Sequence, residues 1–188
     1  MTVEEIFKKL LAHQIKGVMT HEQLANYYDF MNLHGYKRCH EYHAKREFDD
    51  MRKLQRYYIN HFNKLIEEER VNDPEIIPAS WYKYTRQEVD ASTKRQAVKT
   101  GVEKWVEWET ETKRLYEDMY NELLDLGEVA AAQKIACFVC AVDKELKWAQ
   151  RKHINLLASD YNISYILGEQ DHLHDWYKKK MRKGHDKH

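Results

Sequence analysis

Glycine and proline are scarce in this chain of 188 residues, at 6 and 2. Sheets need frequent turn residues, so an all-β fold is excluded and long helices are expected. No apolar run approaches the ~18–20 residues that a membrane-spanning helix requires. The first residues, MTVEEIFKKLLAHQ, lack the apolar stretch and small-residue cleavage site of a secretion signal, which points to the cytoplasm. An excess of one charge is also missing. Lysine plus arginine number 31 and aspartate plus glutamate 31, a balance that argues against a chain built to grip nucleic acid. Cysteine is limited to Cys39, Cys137 and Cys140. The last two have redox or zinc spacing, but they fall in the helical apolar stretch IACFVCAV, where buried and inert thiols are expected. No glycine-rich phosphate loop and no nucleophile elbow is present.

What is there is a helical core. Apolar residues make up 43% and aromatics 12%, alongside 33% charged residues, enough to build one sizeable interior. The patterning predicts four long helices, from about Val3 to Met31, Tyr36 to Leu65, Ser92 to Leu126 and Val129 to Ser159. Asn32-Leu-His-Gly35 joins the first two and Gly127 the last two, so each pair is antiparallel. Both prolines, Pro74 and Pro78, lie between the pairs, in a long crossover over about residues 67–91. The chain thus divides into a bundle over 1–160 and an appendage over 161–188, which is read as a short fifth helix with a basic, histidine-bearing tail.

Turning each helix by about 100° per residue defines its inward stripe. The first carries Leu10, His13, Gly17, His21, Leu24 and Tyr28. The second carries His40, His43, Glu47, Leu54, Tyr58, His61 and Leu65, with Asp50 on its edge. Trp105, Glu109 and Tyr116 belong to the third, and Ile135, Val142 and Leu146 to the fourth, with Glu145 on its flank. Acids inside apolar stripes are informative. An isolated carboxylate in a low-dielectric interior either keeps a proton or finds a cation. At about 1.5 Å of rise per residue, His21 and Glu47 lie at one height, and so do Glu109 and Glu145. Sequence alone leaves the offset between the two pairs open.

These residues carry a resemblance. The run Leu33-His-Gly-Tyr through Ala44-Lys-Arg-Glu47-Phe-Asp-Asp50 resembles the second helix of ferritins and bacterioferritins, where a glycine turn leads to a glutamate-x-x-histidine ligand pair. His21-Glu-Gln-Leu-Ala-Asn-Tyr-Tyr28 is similar to the segment in which a metal-binding glutamate precedes a tyrosine by seven residues. Val106-Glu-Trp-Glu109 and Val142-Asp-Lys-Glu145 resemble the ligand segments of the third and fourth helices. The resemblance covers about residues 5–158 and implies an all-α, ferritin-like four-helix bundle of two antiparallel pairs, a crossover and an extra C-terminal helix.

It further implies metal ligands at His21, Glu47, Asp50, Glu109 and Glu145. His21, Glu47 and Asp50 would hold one metal, and Glu109 and Glu145 a second, with Glu47 bridging. Val142 stands where the family has another bridging acid, so the expected site is asymmetric, with one firm metal and a second weak or absent. Nitrogen and oxygen donors of this kind suit iron or manganese. The implied function is divalent-metal binding with oxygen- or peroxide-reactive chemistry, and Tyr28 or Tyr116 close by. The alternative is a non-catalytic interaction module with a vestigial site, in which Lys113 serves Glu109 as counter-ion. A homodimer or larger homo-oligomer is the expected assembly.

Overall fold

The computed structural model describes residues 1–66, 71–72 and 85–185, with side chains as far as Arg182. Five α-helices are present among them: α1 (Val3–Phe30), α2 (His34–Phe62), α3 (Ala91–Asp125), α4 (Val129–Ala158) and α5 (Ile163–His185), with no strand. Most of the expected crossover lies outside the described residues. Its end is a 3-10 turn, Arg86–Glu88, that leads into α3.

Local chemistry sets the helix ends. Thr2 Oγ1 accepts from the Glu5 backbone N–H at 3.2 Å while the Glu5 carboxylate accepts from the Thr2 N–H at 2.7 Å. This reciprocal cap satisfies donors that the first turn leaves open. Asp90 caps α3 one way, its side chain accepting from Thr93 N–H at 2.7 Å. Gly127, at φ 77°, makes the turn between α3 and α4. Between α1 and α2 the left-handed residue is Asn32, at φ 56°, and Gly35 already belongs to α2. Its missing side chain serves packing, because a Cβ there would stand 1.9 Å from the Gln170 carbonyl oxygen of α5.

Two expectations need correction at the ends. Asn63 adopts a left-handed conformation and ends α2 at Phe62, so His61 is exposed and Leu65 is 86% exposed rather than inward. The last helix runs 23 residues, so the basic run from Lys178 forms its final turns instead of a separate tail.

The pairs α1–α2 and α3–α4 pack along their lengths, α1 meets α3 across the bundle, and α5 lies over α2 and touches α3. Buried apolar residues form two clusters. One contains Leu24, Tyr28, Tyr36, Val102 and Trp105, and the other Phe7, Leu10, Leu54, Tyr116 and Ile135. A polar layer lies between them. Its buried members are His13, Gln14, His21, His40, His43, Glu47, Glu109 and Thr112.

Candidate metal centre

Spacing on α2 builds half of that layer. His40, His43 and Glu47 follow one another at three and four residues, which stacks them on one helix face. Gly17 on α1 makes room for Glu47 and for Trp108 of α3, since a Cβ there would come within 2.9 Å of Trp108 and 3.1 Å of the Glu47 carboxyl carbon.

On one side of the layer the donors are mainly imidazoles. His21 Nδ1 and His40 Nδ1 share a hydrogen bond of 3.0 Å. His21 Nε2 lies 3.8 Å from Glu109 Oε1, and the Trp105 indole N–H donates to that same oxygen at 3.0 Å. His21 Nε2, His43 Nε2 and Glu109 Oε2 have no hydrogen-bond partner. One ligand atom each from His21, His43 and Glu109 falls within 4.8 Å of the others, and all three residues are buried.

Electrostatics fit that grouping. Burial lowers the His21 pKa to about 3, and burial followed by the charge of neighbouring histidines takes His40 and His43 well below the usual value. All three rings are therefore neutral at pH 7 and keep a lone pair for a ligand or a hydrogen bond. Burial raises Glu109 to about 7, against the opposing Trp105 hydrogen bond and Arg46 charge. Where His21 donates Nδ1–H to His40, its Nε2 lone pair faces Glu109, the tautomer a metal would require.

His13 is committed elsewhere. Thr112 donates its hydroxyl to the Trp108 carbonyl at 2.8 Å, so His13 Nε2, 2.8 Å from the same hydroxyl oxygen, must be the donor.

Across the layer the donors are carboxylates. Glu47 is buried and its pKa rises to about 8, first through burial and then through the charges of Glu109 and Asp50. Glu47, Asp50, Glu145, Arg46, Tyr116 and Val142 are among the residues lining a cavity of about 10 Å³, room for one water. Here Glu145 and Asp50 already have cations. Arg46 pairs with Glu145, and Lys53 pairs with Asp50 at 2.6 Å. The Arg46 charge also opposes the upward shifts of Glu47 and Glu109.

Of the five ligands expected from sequence, the structure brings His21 and Glu109 together and sets Glu47 beside them, while Asp50 and Glu145 engage Lys53 and Arg46. His43, on the inward stripe of α2, joins them. It packs on Trp105 and Trp148, with ring centroids 5.2 and 5.5 Å away, yet its Nε2 remains open. Its position one turn before Glu47 was the signal for a ligand. Lys113 is not the internal counter-ion of Glu109, because it bonds Asp143 at 3.0 Å at the surface. Cys137 and Cys140 are exposed, not core; Ile135, Phe138 and Val142 are the residues of that stretch that turn inward.

No protein-family model matches the chain, and no curated protein matches it by sequence. Solved structures do. A humanized archaeal ferritin superposes with a TM-score of 0.76 at 13% identity, over 90% of this chain and 93% of its own. An open-pore ferritin from the hyperthermophilic archaeon Archaeoglobus fulgidus gives 0.75 at 13% identity, over 92% and 96%. A PmFTN variant soaked in iron gives 0.72 at 10% identity, over 89% and 96%. The chain therefore has the fold of the ferritin-like superfamily.

Proposed function

We propose that this chain binds a single divalent metal ion, iron or manganese, through His21, His43 and Glu109. The observation that carries the reading is the convergence of His21, His43 and Glu109, one ligand atom of each within 4.8 Å of the others, with His21 Nε2, His43 Nε2 and Glu109 Oε2 left without hydrogen-bond partners. Unpartnered buried donors are costly, and a cation shared by two imidazoles and a carboxylate removes that cost. The likeness to ferritins supports iron. A bound ferrous ion supplies an electron for reaction with oxygen or peroxide.

The surrounding residues have separable tasks. His40 fixes the ring and tautomer of His21 through the Nδ1–Nδ1 bond. Trp105 holds one Glu109 oxygen and leaves the other open. Glu47 keeps a second carboxyl at the edge of the trio, and Arg46 supplies positive charge to the half of the layer that has lost an acid at Val142. The expected second set, with Asp50 and Glu145 as ligands, would have to displace Lys53 and Arg46. That competition favours one metal over two.

The same ion pairs favour a second reading, a non-catalytic bundle with a vestigial site. Elemental analysis of protein prepared without an affinity tag separates the two. About one equivalent of iron or manganese, lost in Glu109→Ala, supports the metal protein; no uptake from either metal supports the bundle alone. We further take the chain to act in the cytoplasm as a homodimer or larger assembly. Leu124, Leu126 and Val129, exposed around the α3–α4 turn, support self-association, and a monomeric mass in sedimentation would contradict it.

A further inference from the structure

Cys137 and Cys140 stand one turn apart on the outward face of α4. Both thiols are free and exposed, whereas the third, Cys39, is buried. Burial pushes the Cys39 thiol well above its usual value, so it stays protonated and inert. The pair has the opposite surroundings. Ala136 and Ala141 beside it are too small to cover the sulfurs, and Lys144 is exposed one turn after Cys140. Lys147, by contrast, is taken up by Asp143 at 2.5 Å.

Helix geometry decides what such a pair can do. Side chains three residues apart on an α-helix have Cβ atoms about 5–6 Å apart, and a disulfide needs about 3.5–4.5 Å. Closing that bond would distort the middle of α4, which runs unbroken from Val129 to Ala158. An ion shared by the two sulfurs sits between them and requires no such approach. Thiolate is a soft donor, and soft donors select copper(I) or zinc. Zinc fills four positions in structural sites, yet among the described residues no third cysteine, histidine or carboxylate converges on the pair. Copper(I), with a filled d shell, is satisfied by two thiolates in line.

We propose that Cys137 and Cys140 form a surface site for a single copper(I) ion, held between their two thiolates. Each thiol releases its proton to solvent as the ion binds. The Cys137 thiol gives up a weak bond in doing so, the one it donates to the Gln133 carbonyl at 3.7 Å. The monovalent ion cancels the charge of one thiolate, and the Lys144 ammonium balances the other. No electron is transferred, so the site needs no co-reactant. It is independent of the buried trio, whose imidazole and carboxylate donors are harder and belong to α1, α2 and α3.

Reduced protein prepared without an affinity tag is titrated anaerobically with copper(I) in competition with bicinchoninate, a coloured copper(I) chelator. The unaltered chain should withhold about one equivalent from the chelator. Cys137→Ser and Cys140→Ser should each weaken that hold about 100-fold or more, because a single thiol lacks the chelate. Both positions are exposed, so both variants keep the fold, which circular dichroism checks. Glu109→Ala, which dismantles the trio, should leave copper(I) retention unchanged. Retention that survives either serine variant, falls in Glu109→Ala, or saturates at one ion shared by two chains overturns the dithiol site. So does an unaltered chain that yields all its copper(I) to the chelator. Iron uptake remains the separate test of the trio.

Discussion

The two sides of the polar layer handle buried charge in opposite ways. Around Glu109 the neighbours are neutral imidazoles and an indole, and Glu109 Oε2 and the Nε2 atoms of His21, His40 and His43 are left open. Around Glu145 and Asp50 the neighbours are Arg46 and Lys53, and the acids are neutralised within the chain. A carboxylate that already has a guanidinium or ammonium gains less from a metal than one without, because the ion must first displace its partner. The comparison teaches that counting acids in a stripe does not locate a metal. Which acids lack a cation of their own is the sharper criterion.

The largest effect expected from breaking the comparison is at the trio. Glu109→Ala or His43→Ala should abolish iron uptake in elemental analysis, whereas Asp50→Asn should leave it unchanged; the reverse outcome would move the site across the layer. Next comes a change that turns one side into the other. Arg46→Met combined with Val142→Glu removes the internal cation and restores an acid, and uptake should rise from about one equivalent toward two. His40→Ala, which removes the support of the His21 ring, should weaken metal affinity by about 10–100-fold in competition titration.

The smallest effect is on stability against pH in the metal-free protein. Glu47 has an ordinary value of 4.5 and a folded value of about 8, so the folded state keeps a proton that the unfolded chain has released. Stability therefore falls as pH rises between those values. His21, lowered from 6.5 to about 3, acts in the opposite sense, adding stability as pH rises up to 6.5. Above 6.5 the carboxyl effects stand alone, Glu109, raised to about 7, adding to the fall up to that value and Glu47 carrying it on to about 8. In that window the thermal midpoint should decline with pH, and Glu47→Gln should flatten the decline while Asp50→Asn does not.

Much of the fold was legible because glycine and proline mark so few places. The breaks at Asn32–Gly35 and Gly127 and the inward faces of α1 and α3 could all be read from spacing. The end of α2 could not, since Asn63 stops the helix through a backbone conformation that its side chain tolerates without announcing. For the site, the stripes correctly brought His21, Glu47 and Glu109 to the layer. The rotation of α4 about its axis was not readable, and it decides whether Glu145 faces the trio or Arg46. Nor does sequence show that Lys113 turns outward to Asp143. His43 was visible on the right face, but only coordinates show an open Nε2 beside Glu109.

Anomalous scattering from a crystal grown with iron or manganese would test the metal assignment most directly. The account predicts one peak bounded by His21, His43 and Glu109. A peak among Glu47, Asp50 and Glu145, or the absence of any peak after saturating metal, would contradict it.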